Sequence, residues 1–502
     1  MEPNVLYYGN NLDVLRRHVR NESVDLVYLD PPFNSNANYN VLFEEHGEKA
    51  AAQVQAFTDT WTWDTDARAD YEEVVEQGGR VSDAMRAFYT MLGGSDMMAY
   101  LARMSLRLVE LHRVIKPTGS LFLHCDPTAS HYLKLLLDSV FGPKHFRNEI
   151  AWCYWGPGAP RQRQFSRKHD VILWYSKGST WTWNPDAVRT PHASKTIENY
   201  KAGLVGSGFA SGDVDAVRTL SEGGKIPEDW WPIAIAPRGK EYLGYPTQKP
   251  IKLLDRIIRA ASNPGDLVLD PFCGCGTTID AAEALGRRWV GIDITHLAVG
   301  LIKHRLVDRY GPDIAKTYVT VGEPTAVDDA RVLAREDPFQ FQAWALGLVG
   351  ARQPGSDKKG GDKGIDGVLY FHDGTDAPTR RIVFSVKAGK LVPAFVRDLR
   401  GVIEREAAEI GVLLSFEEPS PGMRAEAAEA GFYESPWGRH PRIQLRTVGE
   451  LLVGKGVDYP HVTGANVTYR RAQRARPDQP ESLELFASDA RAAETPESYG
   501  SD

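Results

Sequence analysis

Short apolar runs and amphipathic stretches alternate along most of the first 320 residues. Residues 4 to 30 read as a strand, a helix over LDVLRRHVR and a strand over VDLVYLD. The segment from 34 to 95 is rich in Asp, Glu, Gly and Asn with weak periodicity, so a long mobile insertion is expected there. Apolar residues three and four apart predict a helix over DMMAYLARMSLRLVELHRVI, then a turn at Lys116-Pro117-Thr118-Gly119 and a strand over GSLFLH. The next helix, HYLKLLLDSVF, stops at Gly142-Pro143. From 148 to 245 the periodicity fades, and seven of the twelve tryptophans lie among Gly, Pro and Arg. Order then returns as helix PIKLLDRIIRAAS, turn NPGD, strand LVLD, loop PFCGCG, helix TTIDAAEALG and strand RRWVGIDI. Strands alternating with helices predict an α/β fold with a doubly wound parallel sheet. Right-handed crossovers bring the strand C-termini to one edge.

PTAVDDARVLARED reads as a polar join, residues 335 to 460 as a second, smaller α/β unit, and residues 461 to 502 as a disordered tail. The division expected is 1–147, 148–245, 246–322, a linker at 323–334, 335–460 and the tail. A chain of 502 residues exceeds one hydrophobic core. The net charge of -7 means that any polyanion must be met by local basic patches. Four cysteines make no disulfide framework and no zinc spacing, which suits a reducing, cytoplasmic home. MEPNVLYYGNN lacks the pattern of a signal peptide, and no apolar stretch nears the roughly 20 residues that span a bilayer.

Two predicted strands end in Asp-Pro. In LVLDPFCGCGTT, Gly274 and Gly276 allow the backbone to approach a ligand, and the following helix start offers N–H groups. Asp293 ends the next strand, where an acid accepts hydrogen bonds from ribose hydroxyls. The loop has no P-loop ending, and Asp270 would repel a pyrophosphate; a cationic or zwitterionic nucleoside such as S-adenosylmethionine is tolerated. In LVYLDPPF, Pro31 and Pro32 have no N–H, so the turn presents acceptors: the Asp30 carboxylate and the Pro31 carbonyl. Two acceptors suit an amine, and Phe33 can stack on the ring that carries it. That geometry suits an aminated base flipped out of a stack. Alone, LVYLDPPF is as well read as an Asp-Pro turn with a core phenylalanine; its pairing with the second motif favours the functional reading.

Together these residues resemble the beta-class DNA amino-methyltransferases, over roughly residues 4 to 322. The resemblance implies a Rossmann-like methyltransferase sheet with an inserted target-recognition region. It makes Asp30, Pro31, Pro32 and Phe33 catalytic, and Asp270, Pro271, Phe272, Gly274, Gly276 and Asp293 cofactor-binding. Thr247, Lys249 and Pro250, in a Thr-Gln-Lys-Pro motif, would help to hold the methionine end of S-adenosylmethionine. Asn10 stands where the family often has Asp, and can hydrogen-bond an adenine edge without a charge. The implied reaction is site-specific methyl transfer, without a metal, to the exocyclic amine of adenine in double-stranded DNA. Cytosine-N4 methylation is the alternative, and so is a bifunctional restriction-modification protein; a protein or RNA amine on the same fold is a third reading. The acid that opens the catalytic motif favours adenine. The subgroup is often dimeric, prokaryotic or phage-encoded, and can work beside a separate restriction partner.

GAPRQRQFSRKHDVILWYSKG interleaves aromatic residues with Arg161, Arg163, Arg167, Lys168 and Lys177, a pattern for gripping phosphates. Trp61-Thr62-Trp63 can clamp a duplex or pack on the core as a lid. In the second unit, Asp366 opens one strand of a hairpin-like pair, and Ser385 and Lys387 share a face of the other. This resembles the restriction-endonuclease-like fold of Mrr type, with Ser385 where active members carry Glu or Gln, and Gln342 where a Glu often sits on the first helix. A non-cleaving DNA-contacting module is expected, and Mg2+ would be needed only by an active nuclease. Ser482-Leu483-Glu484-Leu485-Phe486 is similar to a sliding-clamp-binding peptide, though a solvated tail is the plainer reading.

Overall fold

The computed structural model describes residues 3–32, 38–41, 54–58, 61–156, 163, 165–192, 194, 197–198, 224–236, 241–245, 247–354, 364–374, 378–460 and 466–475. The first strands and helices are β1 (Asn4–Tyr8), α1 (Asn11–His18) and β2 (Val24–Leu29), followed by a pair of short strands, β3 (Asn38–Val41) and β4 (Val54–Thr58). Three helices follow, α2 (Thr65–Gln77), α3 (Gly79–Leu92) and α4 (Asp96–Val114), and lead into β5 (Ile115–Cys125) and α5 (Ser130–Phe141). Strands β6 (Phe146–Cys153), β7 (His169–Ser176) and β8 (Trp230–Pro232) precede α6 (Ile251–Ala261). The chain then runs through β9 (Leu267–Asp270), α7 (Thr277–Ala284), β10 (Arg288–Asp293), α8 (His296–Tyr310) and β11 (Tyr318–Val321).

Nine of these strands form one sheet in the order β11-β1-β10-β9-β2-β5-β7-β6-β8. Neighbours from β11 to β5 are parallel, whereas β7 runs antiparallel to both β5 and β6. β2 and β9, whose sequences lead to the two Asp-Pro turns, are hydrogen-bonded neighbours, with Val27 level with Leu269. β2 is buried on both faces, as a central parallel strand should be. Val27 and Leu29 face a core that includes Leu101, Leu108 and Leu133, while Leu26 and Tyr28 face one that includes Leu254, Ile258 and Ile302. Because β7 is reversed, its start lies level with the end of β5: Val171 pairs with Cys125, and His169 with Cys153 of β6.

Several expectations are corrected. The segment from 34 to 95 contains two ordered helices, α2 and α3. Their buried faces are sparse (Ala67 and Val74; Ser82, Met85 and Phe88), so their periodicity is weak. Arg103 reinforces this packing by pairing with Asp64 at 3.3 Å and Asp70 at 3.4 Å. Of the two readings of Trp61-Thr62-Trp63, the structure shows packing on the core: both tryptophans are partly buried against it, and Trp61 lies 5.9 Å from Tyr100. Lys116-Pro117-Thr118-Gly119 is a bulge inside β5 and not a turn before it, since the register against β2 jumps from Ile115 to Ser120. A boundary at 148 cuts through β6, so the stretch from 148 to 176 lies in the main sheet and carries its buried Trp152 and Trp174.

The supposed polar join is the helix α9 (Val327–Glu336), whose buried face is only Ala330 and Ala334. Helix α10 (Pro338–Gly347) follows, and a second sheet is built from β12 (Gly367–Phe371) and β13 (Arg380–Lys387). Its remaining parts are α11 (Ala394–Arg405), β14 (Ile410–Ser415), α12 (Pro421–Glu429), a pair β15 (Phe432–Ser435) and β16 (Gly438–Pro441), β17 (Ile443–Thr447) and α13 (Val448–Leu452). The order is β12-β13-β14-β17, with β12 antiparallel and the others parallel. This unit docks on α8: the Gln340 side chain accepts the His296 N–H at 3.0 Å. Residues 466–475, expected to belong to a disordered tail, are ordered instead, because they pack on both units: Tyr469 stacks on His304 at 4.7 Å and its hydroxyl donates to the Ala351 carbonyl at 2.9 Å. Among the described residues, no helix is long and apolar enough to cross a membrane. The tail peptide at 482–486 lies outside the described residues.

Candidate active site

Parallel strands gather their C-terminal ends along one sheet edge, where α/β folds place ligands. Here that edge opens into a cavity of about 890 Å³. Asp30, Pro31 and Pro32 line it after β2, Asp270 to Cys275 after β9, and Asp293 and Ile294 at the end of β10. Phe33 lies outside the described residues. Asn10, Thr247 and Lys249 also line the cavity, while Pro250 does not: it is buried and starts α6, its carbonyl accepting the Leu253 N–H.

Asp30 is held from two sides. Lys249 Nζ lies 2.5 Å from Oδ2, and His124 Nδ1 lies 3.0 Å from Oδ1. Burial would raise the carboxyl's pKa, but Lys249 and His124 overcome it and hold Asp30 at about 2. Lys249, from the Thr-Gln-Lys-Pro motif, thus reaches the acid of the other motif. His124 ends the apolar run of β5 and is fully buried. Its other nitrogen, Nε2, meets Asp170 Oδ2 at 3.2 Å, and Asp170 Oδ1 accepts from the Tyr154 hydroxyl at 3.3 Å. Burial would lower the imidazole's pKa, yet the flanking carboxylates raise it. The reversed β7 and the end of β6 bring Asp170 and Tyr154 to this edge.

No sequence motif singles out His124, Asp170 or Tyr154 as a site residue. Asp170 is the one acid in the basic stretch GAPRQRQFSRKHDVILWYSKG. One signal was legible: a histidine closing an otherwise apolar strand on the same predicted edge as Asp30.

On the nucleoside side, Asp293 Oδ2 accepts the Gly274 N–H at 2.9 Å, and Oδ1 accepts from both the backbone and the hydroxyl of Thr295 at 2.9 Å. Burial pushes Asp293 up to about 6. Asp270 is pushed up to about 7, mainly by burial and further by the charges of Asp30 and Asp293. The two glycines differ. Gly274 (φ +48°) faces the cavity, where a Cβ would come within 3.4 Å of the Tyr245 ring. Gly276 (φ +77°) faces α8, and its Cβ would sit 2.7 Å from Ile302 Cγ1. Asn10 caps α1 through Oδ1, accepting the Leu12 N–H at 3.0 Å. Asn11, beside it, donates to the Pro271 carbonyl at 2.9 Å and accepts from Arg107 at 2.7 Å, tying the start of α1 and helix α4 to the glycine loop. A carboxylate at the end of β10, a cradle at Gly274 and acids along the loop can hold a nucleoside that carries a positive charge.

The basic stretch divides. Arg161 lies outside the described residues, Arg163 and Arg167 are exposed, and Lys168 is half-buried. Arg167 reaches Thr128 Oγ1 at 3.4 Å, two residues beyond Asp126 on the cavity wall. Lys177 points elsewhere, to Glu22 at 3.1 Å and the Ile115 carbonyl at 2.8 Å. In the second unit the three singled-out residues do converge: Asp366 Oδ2 accepts the Val386 N–H at 2.7 Å, with Ser385 Oγ at 3.4 Å and Lys387 Nζ at 3.6 Å. Gln342 donates to Asp366 Oδ1 at 3.3 Å.

Residues 24–304 match the profile of the N6/N4 DNA methylase family, and the chain belongs to that family. It is therefore a DNA methyltransferase. Among curated relatives, the type II methyltransferase M.EcaI of Enterobacter cloacae is 25% identical over 359 residues, which is 61% of this chain and 70% of that protein. The DNA adenine methyltransferase YhdJ of Escherichia coli is 27% identical over 62% of this chain and 86% of its own. The type II methyltransferase M.HpaI of Haemophilus parainfluenzae is 31% identical over 40% of this chain and 58% of its own.

Proposed function

We propose that this methyltransferase acts on the exocyclic N6 amine of adenine in double-stranded DNA, with S-adenosylmethionine as methyl donor. The observation that carries the reading is Asp30, held ionised by Lys249 and His124 on the cavity that also contains Asp293 and Gly274. When bound, S-adenosylmethionine supplies an electrophilic methyl group on a cationic sulfur. Asp293 is suited to the ribose hydroxyls, and Asp270 to the neighbourhood of the positive charge. A carboxylate can accept about four hydrogen bonds, so Asp30 keeps capacity for an amine beside its two protein partners. Accepting from the amine orients it and favours a lone pair directed at the methyl. Once methylated, the nitrogen sheds a proton to water or to Asp30. Positioning and exclusion of water are the main contributions. An acid in the first place of the catalytic motif supports adenine over cytosine, as does the resemblance to YhdJ, named as an adenine enzyme.

The test is transfer of tritiated methyl to duplex DNA followed by nucleoside analysis. The expected product is N6-methyladenine; N4-methylcytosine, or label confined to protein, would overturn the reading. Asp30→Ala is expected to abolish transfer while cofactor affinity stays within a few-fold. The stretch 178–245 would read the target, with Trp183 and Trp230 exposed for base contact. We read the second unit as contacting DNA without cutting it, because an amide, Gln342, occupies Asp366 Oδ1. Incubation with Mg2+ should leave the duplex intact, and cleavage lost in both Asp366→Ala and Lys387→Ala would reverse that.

A further inference from the structure

The cavity is not made by the methyltransferase sheet alone. Asp337, at the start of α10, and Gln340, one turn into it, line the same space as Asp293 and Gly274. Both belong to the second unit, and both are half-buried. Their place is fixed: Gln340 Oε1 accepts the His296 N–H at 3.0 Å, immediately after the Asp293-Ile294-Thr295 turn. Asp337 Oδ1 accepts the N–H groups of Phe339 and Gln340, each at 3.0 Å. Asp337 is close enough to Tyr8, another lining residue, for its charge to help burial raise that phenol to about 12.

Consider what this end of the cavity offers. Asp293 is suited to a ribose, so the base lies beyond it, along Ile294, an apolar side chain left 48% exposed on the cavity wall. A purine that carries an exocyclic amine needs an acceptor there. Asn10 is poorly suited, since its carbonyl oxygen already takes the Leu12 N–H and lies 3.4 Å from Arg107. Asp337 is a carboxylate on the same wall, and only its Oδ1 is used by the helix it starts.

We infer that the second unit forms part of the cofactor site, with Asp337 accepting from the exocyclic amine of the cofactor's purine and Gln340 fixing the wall. The inference rests on the cavity being the S-adenosylmethionine site. By linkage, cofactor binding and docking of the second unit on α8 then favour each other.

The experiment uses the full chain, with S-adenosylhomocysteine and its inosine counterpart, which lacks the amine, as calorimetric probes. Wild type is expected to bind the adenosine compound about tenfold or more tighter, the range for a hydrogen bond to a charged group. Asp337→Ser keeps a good helix cap but shortens the reach and removes the charge. Its unfolding temperature should match wild type, its affinity for S-adenosylhomocysteine should fall about tenfold, and its preference for adenosine over inosine should vanish. Undiminished affinity or unchanged discrimination in Asp337→Ser would overturn the inference and leave the methyl-donor reading standing. Failure of wild type to bind S-adenosylhomocysteine at all would overturn both.

Discussion

On the proposed function the chemistry turns on Asp30, and the state of its carboxyl depends on two partners distant in sequence. An ordinary aspartate titrates near 3.8; burial pushes this one up, and Lys249 and His124 bring it down to about 2. Removing Lys249 should therefore let burial dominate. In Lys249→Met the folded-state pKa of Asp30 rises, and the acid limb of kcat/KM against pH moves towards neutrality. A limb that stays in place would mean that Asp30 is not the group whose ionisation matters. The same shift bears on stability. Because the folded pKa lies below the unfolded value, the stabilisation is present above about pH 4 and lost as pH falls towards 2. Lys249→Met should lose it, so its stability advantage on raising the pH from 3 to 6 should shrink relative to wild type. LVYLDPPF pointed to the acid, yet nothing in it pointed to the cations. They come from the end of an antiparallel-flanked strand and from a motif about 220 residues later, and only the sheet order brings them together.

At the scale of elements, the two Asp-ending strands, the glycine loop and most of the long helices were legible, because strong apolar periodicity marks them. Helices α2, α3 and α9 were not. They bury two or three small or scattered side chains each, and α2 is held in addition by arginine–carboxylate pairs, which leave no periodic trace. The loop shows a finer limit: Gly274 and Gly276 look equivalent in PFCGCG but serve different surfaces. Gly276→Ala forces a left-handed residue and a contact with Ile302, so it should cost about 1–3 kcal/mol of stability. Ile302→Ala should recover part of that loss in the double variant, read by denaturant unfolding. Gly274→Ala instead sets a methyl beside Tyr245 on the cavity wall, and its main expected effect is weaker cofactor binding.

At the scale of the molecule, a chain with a net charge of -7 must hold DNA by local charge. The exposed arginines sit where that is useful, since Arg167 touches Thr128 near the mouth of the cavity that contains Asp30. Lys177, in the same sequence stretch, is spent on Glu22 and a strand carbonyl, so sequence proximity overstated the patch. A phosphate contact contributes to affinity through counterion release, with a slope of about 0.9 per contact in log K against log salt. Reversing Arg163 and Arg167 to Glu should therefore weaken duplex binding at low salt and flatten the slope by about two. Cofactor affinity should be unaffected, because neither residue lines the nucleoside end of the cavity. A slope equal to wild type would place the phosphate grip elsewhere, with the exposed face of the second unit the next surface to reverse.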